Sequence, residues 1–147
     1  MRLEDAIIQA CHAHRGQVDK GGAPYILHPL RVMLRMHTED ERVVAVLHDS
    51  IEDATDPKRQ EELLWNAGLT YPQWLALQLL TRVPHAPYPS YIERLAVNTL
   101  ARRVKMADLQ DNLDLSRLGH EPTEADLARD SKYLKAFMVL THTEEKR

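Results

Sequence analysis

Apolar positions along this chain recur at helical rather than strand spacing. Leu3, Ala6, Ile7 and Ala10 stand at i, i+3, i+4 and i+7 and predict an amphipathic helix over residues 3–14. Gly16, Gly21 and Gly22 among polar neighbours read as a loop. Pro29 suits a first helical position, where its missing N–H costs nothing, so His28 is expected at or near the N-cap of a second helix running to about Met36. Thr38-Glu39-Asp40-Glu41 is a capping box that opens a third helix. The near-continuous apolar run Val43–Leu47 follows, and the helix is expected to continue through His48-Asp49-Ser50-Ile51-Glu52-Asp53, buried on most faces. Asp56-Pro57 opens the next helix and Gly68 closes it. Thr70-Tyr71-Pro72-Gln73 is another cap-like start, leading into the apolar and hence central segment Trp74–Leu80. Pro84, Pro87 and Pro89 make residues 83–89 an irregular loop, the expected mobile edge of a site. Ser90-Tyr91-Ile92-Glu93 begins a helical pattern that carries, with a break near Asn98, to about Leu118, and Thr123-Glu124-Ala125-Asp126 opens a last helix to about His142. No segment alternates as a strand would and nothing repeats. The expectation is an all-α single domain, residues 1–147, of about six to eight helices.

The central apolar run ends unusually, with four ionisable groups in six residues. On a continuous helix His48 lies one turn below Glu52 and Asp49 one turn below Asp53. Buried carboxylates are costly unless paired or metal-bound, and a divalent cation is the simplest compensation. The competing reading is a helix C-terminus that reaches solvent, so further ligands elsewhere must decide. Residues 101–115 supply one: Val104, Met106, Ala107, Leu109, Leu113 and Leu115 leave little of this helix facing water, yet Asp108 and Asn112 share one row of it. Asp111 and Asp114 fall on other rows and read as solvent-facing charges or helix partners. Two imidazoles, His28 and His48, with two carboxylates, Asp49 and Asp108, form a nitrogen and oxygen set suited to Mn, Fe, Mg or Zn rather than to a sulfur-rich structural site. Four such ligands leave two octahedral positions for a water and a substrate phosphate oxygen.

A formal net charge of −3 and a pI near 6.2 leave no basic stripe for a nucleic-acid backbone, so any phosphate handled is small and held locally. The N-terminus is acidic within five residues and lacks an apolar signal core, and no apolar run is long enough to span a bilayer, which makes a cytoplasmic location the default expectation. The single Cys11 has no internal disulfide partner and is expected to pack in the core. His12, His14, His37, His85, His120 and His142 are assigned no role, and no Gly-x-Ser-x-Gly or phosphate-cradling loop is present. Self-association is not legible.

The motifs PYILHPL, LHDSIEDA and VKMADLQDN, in this order, resemble the HD-domain metal-dependent phosphohydrolases, and within them the hydrolase domain of the RelA/SpoT-type alarmone enzymes and the small alarmone hydrolases. The resemblance runs from about Ala10 to Tyr133. It implies a helical bundle with one metal ion, manganese first, that removes pyrophosphate from the 3′ position of a guanosine polyphosphate. It implies His28, His48, Asp49 and Asp108 as metal ligands, and Glu52 and Asp53 as the acidic pair that activates water and handles protons. Asn112 matches a contact near the ribose, and Arg129 and Tyr133, one turn apart, match a phosphate-contacting pair. The family's Arg-Lys pair before the first metal histidine is replaced by Gln17 and Val18, with Arg15 and Lys20 near but out of register; Lys20 is the basic residue left to meet the substrate. Two rival expectations stand beside this one: a phosphohydrolase of the same class for another nucleotide or small phosphoester, and a nucleotide-sensing module without turnover.

Overall fold

A computed structural model describes residues 1–146. Among them the chain forms eight α-helices and one short 3-10 turn, with one isolated bridge pair, Val18 with Pro24, and no strand. The helices are α1 (Leu3–Ala13), α2 (Leu27–Leu34), α3 (Glu39–Leu47), α4 (Pro57–Asn66), α5 (Tyr71–Leu80), α6 (Tyr88–Ala96), α7 (Thr99–Asn112) and α8 (Glu124–Glu145), and the 3-10 turn is Leu115–Arg117. They make one compact all-α domain. None of the described helices is long and apolar enough to cross a membrane.

Helix starts follow local chemistry. Capping boxes at Thr38/Glu41, Thr70/Gln73 and Thr123/Asp126 satisfy the first free amides of α3, α5 and α8. Asp56 caps α4 with Pro57 at its first position, Asn98 caps α7, and Gly68 follows α4 at φ +100, a left-handed conformation that glycine adopts without strain. The centre is α3, whose residues Val43–Leu47 are fully buried against α1, α2, α5 and α7.

Four boundaries depart from the pattern-based expectation. The third helix stops at Leu47 rather than running to Asp53: His48 Nδ1 takes the Ala45 carbonyl at 2.7 Å and Ser50 Oγ takes that of Leu47 at 2.6 Å, so side chains occupy acceptors that a further turn of amides would need. Residues 48–53 form successive turns, and one helix-like bond survives from Asp53 N to Asp49 O, 2.9 Å. The second helix starts at Leu27, two residues early, so His28 is inside its first turn. The sixth starts at Tyr88 rather than Ser90, because Pro89 fits a first turn that needs no amide from it. The seventh ends at Asn112 rather than Leu118, since Asp114 caps the 3-10 turn through Ser116. Cys11, expected in the core, lies on the exposed face of α1.

Candidate metal centre

His28 enters from the first turn of α2, His48 and Asp49 from the turn ending α3, and Asp108 from the middle of α7. All but Asp49 are buried, and Asp49 is partly covered. Ligand atoms of His28, His48 and Asp49 lie within 4.8 Å of one another, a cluster that can hold a metal ion. Asp49 Oδ2 is 2.9 Å from His48 Nε2 and 3.6 Å from His28 Nε2. Asp108 Oδ1 is 3.1 Å from His28 Nε2 and 3.5 Å from His48 Nε2.

The imidazole tautomers test whether these residues fit a cation. His48 Nδ1 faces a carbonyl oxygen, which only accepts, so it carries a proton; His28 Nδ1 donates to Asp111 Oδ2 at 2.7 Å. In their neutral forms both imidazoles therefore turn an Nε2 lone pair inward, and the two Nε2 atoms converge to 3.3 Å. Two lone pairs and two carboxylates aimed at one point can hold a cation between them, and an outer hydrogen bond on each imidazole is the usual support of a metal histidine. The residues present fit a divalent ion bound by nitrogen and oxygen.

The electrostatics lead to the same place. Burial opposes charging of His48, but Asp49 and Asp108 outweigh it and raise its pKa well above the ordinary value; His28 is also raised, burial being outweighed by hydrogen bonds to Asp108 and Asp111. Burial would raise Asp49, yet His48 brings it down to about 2. Asp108 is held well below the carboxylate range because Lys105, 2.8 Å away, and the imidazoles override its burial. Without a metal, protons on the imidazoles supply the positive charge at the point of convergence.

Several supporting groups escaped the pattern reading. Tyr25 donates to Asp49 Oδ2 at 2.5 Å, and burial together with that carboxylate pushes its phenol pKa up, keeping it a donor. Lys105 is one turn before Asp108 on the row that also carries Asn112, whose Nδ2 donates to Asp108 Oδ1 at 2.6 Å. Asp111, expected as a solvent-facing charge or a helix partner, is the latter: it is buried and bonds His28 and Arg31 of α2. His14, given no role, is buried with Nδ1 2.8 Å from Gln17 Oε1, and Gln17 Nε2 donates to Asp53 Oδ2 at 3.0 Å. The signal that could have found Lys105 and Asp111 is their placement three residues either side of Asp108 on a helix with little free surface.

Glu52 and Asp53 stand outside the His28, His48 and Asp49 cluster. They sit on the rim of a cavity of about 260 Å³ with His48, Asp49 and Asp108 in its wall. Glu52 Oε2 accepts from the Arg82 amide at 3.0 Å, in the irregular segment before α6. Arg82 and Lys132 line the same cavity, Lys132 Nζ standing 4.7 Å from the Tyr88 ring centroid. Burial and the charges of Arg82, Lys105 and Arg129 lower the Lys132 pKa. A second cavity of about 270 Å³ adjoins it, lined by Gln17, Val18, Lys20, Arg117 and Arg129. Tyr25, Asn112 and Tyr133 border both. The expected substrate residues Lys20, Asn112, Arg129 and Tyr133 are therefore brought to one cleft.

Fold and site together define a helical domain with a His/Asp cluster able to hold a metal ion at the edge of a cationic cleft. No protein-family model matches the chain. Over 67 residues it is 36% identical to the GTP pyrophosphokinase rsh of Brucella melitensis biotype 1, a stretch covering 43% of this chain and 9% of that protein. The corresponding proteins of Brucella ovis and Brucella abortus are 34% identical over 67 residues, again 9% of their length. The similarity supports a partial relation to the RelA/SpoT-type proteins, of whose length the match spans less than a tenth.

Proposed function

We propose that residues 1–147 form an HD-type metal-dependent phosphohydrolase that cleaves pyrophosphate from the 3′ position of a guanosine polyphosphate such as (p)ppGpp. The observation that carries the reading is the convergence of His28, His48, Asp49 and Asp108 beside a cavity walled by Arg82, Lys105 and Lys132. Partial similarity to rsh proteins is compatible with it. The cofactor is one divalent ion, manganese first, and the partner a small nucleotide or phosphoester, with no role for nucleic acid or a membrane surface.

When bound, the ion supplies Lewis acidity for a water and a phosphoryl oxygen. His28, His48, Asp49 and Asp108 would hold it. Glu52, on the cavity rim and oriented by the Arg82 amide, takes the proton of the attacking water, and Asp53, held by Gln17, is the second carboxylate able to relay it. Arg82 and Lys132 balance charge on the departing pyrophosphate. Asn112 and Tyr133, bordering both cavities, orient the sugar and phosphate, while Arg129 and Lys20 meet the remaining phosphates.

A second reading, the same chemistry on another nucleotide, is favoured by one observation. The Gln17 amide is engaged by His14 and Asp53, and Val18 is exposed at the cavity, so neither supplies a basic contact to a guanine nucleotide. Product release from a nucleotide panel that includes guanosine tetraphosphate, by manganese-loaded protein with Asp49→Ala as control, separates the readings. Pyrophosphate from the tetraphosphate is expected. Turnover of another nucleotide alone would favour the second reading, and binding without product would make the domain a sensor.

A further inference from the structure

Asp111 lies behind His28, on the side away from the proposed metal, with three arginines around its carboxylate. Oδ2 accepts from His28 Nδ1 at 2.7 Å and from Arg31 Nη2 at 3.1 Å, Oδ1 accepts from Arg31 Nε at 2.9 Å, and Arg117 Nη2 is 3.1 Å from Oδ2. Arg35 Nη1 adds charge at 3.6 Å. The carboxylate is 1% exposed, whereas its neighbour Asp114 is exposed at 47%. An ion pair of this density on a helix end is not needed to join α2 to α7, since these helices already pack together. It is the arrangement that fixes an imidazole in plane, keeps its proton on Nδ1 and leaves Nε2 free.

Arg117 extends the cluster outward. Its guanidinium also reaches the Asp111 carbonyl, and its side chain lines the 270 Å³ cavity. Its own carbonyl is so near Gly21 that a Cβ there would stand 2.4 Å from it, and Gly21 and Lys20 belong to the loop on the cavity's other side. The substrate-side loop, Arg117, Asp111 and His28 thus form one continuous line of contacts.

We infer that Asp111 is a positioning residue for His28, held in place by Arg31 from α2 and Arg117 from the 3-10 turn, so that metal affinity depends on two arginines that never touch the metal. The inference rests on the metal-centre reading above.

The test is titration of metal-free protein with Mn²⁺, followed by electron paramagnetic resonance of the free ion, with far-UV circular dichroism and a melting curve for each variant. Wild type is expected to bind one ion. Asp111→Asn keeps an acceptor for Nδ1 but removes the charge, and should weaken binding by about 10–100-fold. Arg117→Gln, at a site 31% exposed and so tolerant of change, should keep the fold and weaken binding in the same direction by less. Asp114→Asn should leave it unchanged. Folded Asp111→Asn or Arg117→Gln protein with wild-type affinity would overturn the inference alone; if Asp111→Asn does not fold, Arg117→Gln decides. A wild type that binds no ion would overturn the metal reading itself.

Discussion

The two cavities that meet at Tyr25, Asn112 and Tyr133 are built from different material. The metal-side cavity draws its chemical groups from helices and the turn packed directly on one: Lys105, Asp108 and Asn112 from one row of α7, Lys132 from α8, and His48 and Asp49 from the turn that ends the buried α3. Each of the groups from α7 and that turn has a partner: Lys105 and Asn112 bond Asp108, His48 the Ala45 carbonyl, and Asp49 the Tyr25 hydroxyl. The adjoining cavity is walled largely by connecting segments, with Gln17, Val18 and Lys20 before α2 and Arg117 in the turn after α7. Reaction chemistry needs ligands placed to a fraction of an ångström, which rigid helices supply, whereas recognition can vary on loops without disturbing them. Under the proposed function, the departure at Gln17 and Val18 from the alarmone-hydrolase pattern falls on the loop side, where substrate choice could change without disturbing the metal-side groups.

Substitutions sharpen this contrast. The largest effect is expected for Asp49→Ala, which removes the carboxylate that stands 2.9 Å from His48 Nε2 and 3.6 Å from His28 Nε2: metal binding and turnover should disappear together in a titration and a product assay on the same sample. Retained metal with lost activity would move Asp49 out of the ligand set. Glu52→Gln should keep the ion and slow turnover by about 10²–10⁴-fold, the usual worth of a general base. Loss of metal in that variant would show that the rim acid belongs to the metal centre after all.

On the loop side, Arg129→Ala should lower kcat/KM by about 10–100-fold, the worth of a lost charged contact to phosphate, chiefly through KM. A fall in kcat alone would erase the distinction between the cavities. The smallest effect concerns pH. Because the folded pKa of His48 lies above its ordinary value of 6.5, its contribution to the metal-free protein is fully present below that value and is lost as pH rises through the raised one. Metal binding needs the neutral imidazole and strengthens in the opposite direction. The gap between the melting temperatures of loaded and metal-free protein should therefore widen from pH 6 to pH 8, and a constant gap would count against protons occupying the ion's place.

Some of this was legible without coordinates because its causes are local. A hydroxyl or carboxylate three residues before a free amide caps a helix in any context, so the starts at Thr38, Asp56, Thr70 and Thr123 followed from neighbouring residues alone. Helical spacing likewise placed Asp108 and Asn112 together, and they bond. Three motifs in order named four groups that the fold then brought to one point.

What lay beyond the sequence depends on which surfaces meet. Asp111 and Asp114 are both acids near the end of one helix, and nothing within α7 says that Arg31, 80 residues earlier, buries the first and leaves the second in water. The end of α3 turned on two side chains competing for its own carbonyls, a contest that spacing does not register. The link from His14 through Gln17 to Asp53 joins a helix end, a loop and a turn. Capping and periodicity act over one turn of chain, so sequence determines them; the partners of a buried charge are chosen by packing across the whole domain, and only the tertiary structure decides those.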